Sequence, residues 1–246
     1  MDSFGEYEWQ IRASECDADG TAKLSAILNL FQEAASLNAE SLGFSKSNFA
    51  AQGENISWVL TRLRVRMERY PRWEERVRVV TWPRLGRKIT AMRDFAMYGA
   101  DSSLIGIATS EWMVIDLASR RVMPIPDGVF ALANDERAPV FGGEAFSKLR
   151  WDCREIAGNA LRFHAKRADI DLNGHVNNVH YVEWFMETLP SGMEHCRECE
   201  IVFKSETFAG EEVLAEGVEV EPGVFIHRVS SPDGHDHVLA RTAGQV

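Results

Sequence analysis

The chain lacks any apolar run near the roughly 20 residues that a membrane-spanning helix needs. Its first residues, Met1 to Trp9, are acidic. They have neither the apolar stretch of a secretory signal nor the Arg- and Ser-rich composition of an organelle transit peptide. A cytoplasmic location and no membrane partner are therefore expected. Cysteines are few: Cys16, Cys153, Cys196 and Cys199. Cys196 and Cys199 form a CxxC, but neither a second ligand pair nor a thioredoxin-like βαβ context accompanies it. Reduced thiols are expected, with no metal site. Positive charge is also short. Lys and Arg number 27 against 37 Asp and Glu, a net charge of -10, and no nucleic-acid partner is expected. With 45% hydrophobic and 26% charged residues over 246 positions, the composition excludes extensive disorder and suits one large domain or two small ones.

The charge is unevenly spread. Arg62, Arg64, Arg66, Arg69, Arg72, Arg76, Arg78, Arg84, Arg87 and Lys88 fall in one stretch, opposed there by Glu68, Glu74 and Glu75 only. Strand alternation puts Arg62, Arg64 and Arg66 on one face and Leu63, Val65 and Met67 on the other. Such an island can dock an acidic partner; the simpler alternative is a solvent-facing strand surface.

Two segments align at an offset of 154: DADGTAKLSAILNLFQEAA (Asp17 to Ala35) and DLNGHVNNVHYVEWFMETL (Asp171 to Leu189). Asp17 matches Asp171, Gly20 matches Gly174, Phe31 matches Phe185 and Glu33 matches Glu187. In each copy a period-two segment (Trp9, Ile11, Ala13; Leu161, Phe163, Ala165) predicts a half-buried strand. An Asp/Asn/Gly turn follows, then a helix apolar on most sides, hence buried. Alternating segments come next. In the first copy they are Ile56 to Tyr70, Arg76 to Pro83, Ile89 to Tyr98 and Ile105 to Asp116. In the second they are Glu200 to Phe208, Glu212 to Val220, Val224 to Ser230 and His237 to Thr242. A strand, a buried helix and an antiparallel meander make a sheet wrapped around a central helix, the hotdog arrangement. The expected fold is α+β, a tandem (double) hotdog. Residues 1–126 form the N-terminal hotdog, 127–150 a linker and 151–246 the C-terminal hotdog.

The repeat fails where chemistry is expected. The second turn carries Asn173, His175, Asn177 and Asn178, where the first has Asp19, Thr21, Lys23 and Leu24. Asp171, Asn173 and His175 are spaced by two, which points their side chains one way in an extended turn. They precede a helix N-terminus, where free N–H groups and the dipole favour negative charge. An amide and an imidazole there can stabilise an oxyanion or move a proton. The simpler alternative makes Asp171 a turn residue, Asn177 or Asn178 a helix N-cap and His175 a surface side chain. His235 and His237 would need a third ligand to hold a metal. Pro232 and Gly234 favour a hairpin turn there.

Longer ordered stretches carry a resemblance. WVLTRLRVRMERYPRWEERVRVVTWP (Trp58 to Pro83), MRDF (Met92 to Phe95), SEWMVIDLASRRVMPIP (Ser110 to Pro126) and DLNGHVNNVHYVEW (Asp171 to Trp184) are similar to signature stretches of the plant and bacterial acyl-acyl carrier protein thioesterases. The resemblance runs from about Tyr7 to Val213 and weakens beyond. It implies a tandem hotdog that hydrolyses fatty acyl-acyl carrier protein, with Asp171, Asn173 and His175 catalytic. It adds Glu206 on the next strand. Thr207 stands where plant members have cysteine, which removes a cysteine nucleophile and favours carboxylate and water chemistry. Glu206 would orient or deprotonate a water, with His175 and Asn173 holding the water and the oxyanion and Asp171 orienting them. Direct carboxylate attack through an anhydride is the competing route. The resemblance implies no metal or organic cofactor and an acyl carrier protein as partner. It places the acyl chain in the first hotdog, where Ile27, Leu28, Phe31 and Trp58 are candidate wall residues or simple core. Arg62, Arg64 and Arg66 are the candidate carrier-docking residues. An acyl-coenzyme A hydrolase of the same fold and a catalytically inactive acyl-binding hotdog are the rival readings. A homodimer is compatible with any of them.

Overall fold

The structure, a computed structural model, describes residues 3–133, 137–152 and 160–245. The first half runs β1 (Gly5–Gln10), α1 (Leu24–Ser41), α2 (Lys46–Ala51), β2 (Ile56–Met67), β3 (Arg76–Arg87), β4 (Thr90–Tyr98), β5 (Leu104–Asp116), β6 (Val122–Met123) and α3 (Asp127–Phe130). The second runs β7 (Leu161–His164), α4 (Asn178–Met186), β8 (Cys196–Phe203), β9 (Glu212–Glu221), β10 (Val224–Ser230) and β11 (Asp236–Gln245). All strands join one 11-stranded antiparallel sheet in the order β1-β3-β4-β5-β2-β8-β11-β10-β9-β7, with β6 paired to β5. Each half has the same internal order, and the two meet at β2 and β8. This is the double hotdog.

Alternation fixes which face is buried. Leu63, Val65 and Met67 of β2 and Cys199 and Ile201 of β8 point into one continuous core with α1 and α4. Phe31 on α1 and Phe185 on α4 are its largest fully buried helical side chains. Truncating a buried Phe to Ala costs about 3–5 kcal/mol. Both helices are buried on more than one side, as their near-continuous apolar sequences require. Among the described residues no helix is long and apolar enough to cross a membrane.

The repeat holds atom for atom at the turns. Gly20 and Gly174 take positive φ values of 80° and 86°, which glycine adopts without a Cβ penalty. Asp17 N donates to Thr21 O at 2.8 Å, and Asp171 N to His175 O at 2.9 Å. The short bridges Cys16↔Ala22 and Ile170↔Val176 also correspond.

The sequence-based expectations need two corrections here. The strand expected to carry Glu206 ends at Phe203, so Glu206 lies beyond β8. At that point the chain leaves the ladder, and Thr207 O accepts from Val176 N at 2.9 Å instead. Arg62, Arg64 and Arg66 do share an outward face, but each already meets a carboxylate of the chain. Arg62 faces Glu111 at 3.8 Å, Arg64 pairs with Glu144 at 2.9 Å, and Arg66 pairs with Glu198 at 2.5 Å. Phe141 stacks on Arg64 at 4.3 Å and on Arg66 at 5.2 Å. The segment between the halves thus covers this face. Cys196 and Cys199 are buried free thiols, and Cys153 lies outside the described residues. Residues 231–235 form the turn between β10 and β11, so His235 sits in a hairpin.

His227 on β10 is fully buried between Thr188 Oγ1 at 2.9 Å and Thr242 Oγ1 at 2.8 Å. Burial pushes its imidazole down to about 3. An unfolded histidine titrates near about 6.5, so between these values the unfolded chain binds the extra proton and stability falls with falling pH. The contribution is complete above about pH 6.5 and is lost progressively below it. The stability gap between wild type and His227→Gln, measured by denaturant titration, should shrink by about 1.4 kcal/mol per pH unit from pH 6 to pH 4. A gap independent of pH would show that His227 is not buried as a neutral ring.

Candidate active site

The turn before α4 is built by Asp171. Its Oδ1 accepts from Asn173 N at 2.7 Å, and its Oδ2 from Asn173 Nδ2 at 3.3 Å. Asn177 then caps α4, its Oδ1 accepting from Val179 N at 3.3 Å. The cap expected of either asparagine is thus Asn177. Gln32 on α1 braces the same helix end, with its amide 3.4 Å from Asn177 Oδ1 and from Asn178 Nδ2.

His175 follows the turn, and its Nδ1 lies 3.3 Å from Val176 O. A carbonyl can only accept, so in this contact Nδ1 is the donor. Nε2 lies 3.4 Å from Glu206 Oε1. A proton on Nε2 or a water bonded to both joins these two atoms. The structure therefore brings Asp171, Asn173, His175 and Glu206 together from two separate segments.

The segment that carries Glu206 is anchored on the start of β11. Lys204 N donates to His237 O at 2.8 Å, Lys204 Nζ pairs with Asp236 at 2.7 Å, and Ser205 Oγ lies 2.8 Å from His237 Nδ1. Thr207 turns away from the site and is wholly buried. Beside it Tyr181, pushed up to about 12 by burial, stays a neutral phenol.

Two side chains that sequence reasoning missed reach this cluster from the first half. Lys46 Nζ donates to Asn173 Oδ1 at 2.8 Å across a sequence separation of 127. Arg120 pairs with Glu206 Oε2. Arg120 lies within the Ser110 to Pro126 stretch, so its presence was visible. No local pattern marks Lys46.

The cluster opens on a cleft of about 1110 Å³ that extends into the first half. Ala35 and Ala39 of α1, Trp58 and Leu60 of β2, Met92 of β4 and Trp112 of β5 line it, and Asp171, Asn173, His175 and Glu206 stand in its wall. The expected and observed walls differ. Trp58 lines the cleft. Leu28 and Phe31 line a small adjoining void of about 20 Å³, which shares Gln32, Leu60, Trp112 and Phe203 with the cleft. Ile27 lines neither and belongs to the core, because its position on α1 faces the sheet-side cluster.

Comparison with known proteins points one way. A family model described as Acyl-ACP thioesterase N-terminal domain matches residues 3–133, and one described as Acyl-ACP thioesterase C-terminal domain matches residues 154–243. The chain is 29% identical to a chloroplastic palmitoyl-acyl carrier protein thioesterase of Gossypium hirsutum, with 95% of this chain and 62% of that protein covered. It is 29% identical to a chloroplastic oleoyl-acyl carrier protein thioesterase of Coriandrum sativum, with 78% of this chain and 55% of that protein covered. The chain thus spans between about half and two thirds of the length of these relatives. The crystal structure of an acyl-ACP thioesterase from Bacteroides thetaiotaomicron superposes with a TM-score of 0.87 at 25% identity, covering 98% of this chain and 97% of that one. The 12:0-ACP thioesterase from Umbellularia californica shares the fold, with a TM-score of 0.82 at 24% identity over 98% and 93% of the two chains.

Thr207 Oγ1 is buried beside the Tyr181 hydroxyl, but neither oxygen reaches a partner with hydrogen-bond geometry. A buried unsatisfied hydroxyl costs on the order of 1–3 kcal/mol, whereas valine has the same shape and no polar atom. Thr207→Val should therefore melt at or above the wild-type temperature in a calorimetric scan. A clear drop would mean that the hydroxyl is bonded in solution.

Proposed function

The chain belongs to the acyl-ACP thioesterase family, and from that membership we propose that it hydrolyses the thioester between a fatty acyl chain and an acyl carrier protein, releasing free fatty acid and holo-carrier. The observation that carries this reading is the cleft of about 1110 Å³, largely apolar along its length and ending on an amide, an imidazole and two carboxylates. Ligand pockets of about 300–1,000 Å³ hold drug-sized molecules, so the space is ample for an extended acyl chain. The first half then houses the chain and the second supplies the chemistry.

In this mechanism a water sits within reach of His175 Nε2 and Glu206 Oε1. Glu206 takes its proton as the oxygen attacks the thioester carbon. The carbonyl oxygen becomes an oxyanion, stabilised by the Asn173 amide and the N-terminus of α4. Collapse of this intermediate breaks the C–S bond, and the thiolate takes up the proton that Glu206 took from the water, directly or through His175 Nε2. Asp171 has both oxygens engaged by Asn173, which suits it to orienting the amide rather than to attacking the carbonyl. Thr207, buried away from the cleft, plays no nucleophilic part. The mechanism draws on no metal or organic cofactor, and every group in it comes from one chain, so a second copy is not needed to complete the site. A cytoplasmic location belongs to this reading; the plant relatives are chloroplastic by name.

Thiol release from matched acyl-carrier and acyl-coenzyme A donors tests the function. Turnover with preference for the carrier donor is expected. Preference for coenzyme A would reassign the donor, and no turnover would leave an acyl-binding protein. His175→Ala and Glu206→Ala should each lower turnover by roughly 10²–10⁴, and Asn173→Ala by a similar amount. At the matched first-copy positions, Asp19 accepts from Thr21 N at 2.8 Å and from Thr21 Oγ1 at 3.0 Å, a closed pair. Asp19→Ala and Thr21→Ala should leave turnover within a few-fold. Collapse in these variants with near-wild-type His175→Ala would put the site in the wrong half.

A further inference from the structure

Glu206 and Asn173 belong to the second half, yet each has one oxygen held by a cation of the first. Arg120 pairs with Glu206 Oε2, while Glu206 Oε1 faces His175 at 3.4 Å. Lys46 holds Asn173 Oδ1 at 2.8 Å, which turns the Asn173 NH₂ group towards Asp171. At both places a cation of the first half tethers one oxygen and so fixes the direction of the rest of the group: Glu206 Oε1 towards His175, and the Asn173 NH₂ towards Asp171, with its second hydrogen left for the cleft.

Arg120 is delivered by a braced turn between β5 and β6. Arg120 N donates to Asp116 O at 2.9 Å, and Asp116 N donates to Arg121 O at 3.0 Å. The Asp116 carboxylate accepts from Ser119 N and from Ser119 Oγ, each at 2.7 Å. Arg120 itself has φ of 58°, a left-handed conformation that only a few per cent of non-glycine residues adopt. A large side chain is thus kept where the backbone would favour glycine. Half of the Arg120 side chain is exposed, and ion pairs of that kind add little to stability. Its value lies in geometry. Glu206 stands beyond the end of β8 on a side chain with free torsions, and only the guanidinium and His175 meet its carboxylate among the described contacts.

We propose that Arg120 and Lys46 are positioning residues, which aim Glu206 at the attacking water and the Asn173 amide at the oxyanion from the other half of the fold. The proposal rests on the hydrolytic reading above. Neither cation touches the reacting atoms in it. Each sets the direction of a group that does.

The test is steady-state kinetics on wild type, Arg120→Gly, Arg120→Lys, Lys46→Met and Arg121→Ala, with melting temperatures for each. Glycine suits a φ of 58°, so Arg120→Gly should melt no lower than wild type. A misplacement of about 1 Å costs on the order of 10²-fold, so kcat of Arg120→Gly should fall by roughly 10–10²-fold while KM stays within about two-fold. Arg120→Lys should recover part of the loss, and added methylguanidinium should raise the rate of Arg120→Gly but not of wild type. Lys46→Met should lower kcat by roughly ten-fold, again with little change in KM. Arg121→Ala, at the exposed neighbour, should match wild type. Active wild type with Arg120→Gly unimpaired or faster would overturn the proposal alone, the latter by making Arg120 an inhibitory contact. A rise in KM with kcat unchanged would also overturn it, by making these cations substrate-binding groups. Wild type without turnover on either donor would overturn the hydrolytic reading and the proposal with it.

Discussion

The site depends on the pairing of β2 with β8. That ladder runs from Arg62↔Val202 to Arg66↔Glu198, with Arg64 opposite Glu200. Its inner residues fuse two helix-centred cores into one. On its outer face Arg64 and Arg66 stand opposite Glu200 and Glu198, and cross-strand pairs of opposite charge each contribute about 0.2–1 kcal/mol. Phe141 covers the arginines, and Ser147 donates to the Glu200 carboxylate through both its N–H and its hydroxyl. Were the two halves joined only by a flexible linker, Arg120 and Lys46 would not meet Glu206 and Asn173 at hydrogen-bond distance. The ladder converts two half-sheets into one frame in which the polar cluster of one half opens into the cleft of the other.

Local order was the legible part. The offset of 154 located both turns and both helices, because the glycine of the turn and the apolar spacing of the helix are both set by near neighbours in sequence. The polar cluster was legible for the same reason in Asp171, Asn173 and His175, while Glu206 came from the family resemblance. What failed depends on long-range packing. For Arg62, Arg64 and Arg66, read as a docking island or a solvent-facing strand surface, alternation says which side of a strand is outward and not which carboxylates and aromatics lie over it. Ile27 stood as cleft wall or core, because an apolar helix face does not reveal which of its residues meets a void. Lys46 carried no signal at all.

The two copies differ in length at an informative place. The helices are offset by 154, as Leu24 and Asn178 show, but the strands that follow are offset by 136, as Met67 and Phe203 show. From the start of the helix to the end of the next strand the first copy therefore has 18 more residues, of which nine lengthen the helix, five the connection and four the strand. The longer connection holds α2 and places Phe44, Ser45, Lys46 and Ala50 on the cleft. Trp58 Nε1 donates to Phe44 O at 2.6 Å and ties the added segment to β2. The connection that holds α2 thus supplies both part of the cleft wall and the cation on Asn173.

The strand offset also explains why the first turn has no matching site. Under it Tyr70 corresponds to Glu206, and Pro71 corresponds to Thr207; Pro71 O accepts from Ala22 N at 2.9 Å as Thr207 O accepts from Val176 N. Tyr70 is buried, and its hydroxyl donates to Cys196 O at 2.8 Å. Its ring packs on His195 at 4.9 Å between centroids, and His195 Nε2 lies 3.4 Å from Asp17, the counterpart of Asp171. An aromatic ring and an imidazole therefore occupy the space that, in the second copy, lies between the turn carboxylate and Glu206. The same backbone turn ends on packed side chains in one copy and on an open cleft in the other. The asymmetry is one of filling: the shared turn supplies a frame, and only the copy whose frame is left unfilled can admit a substrate.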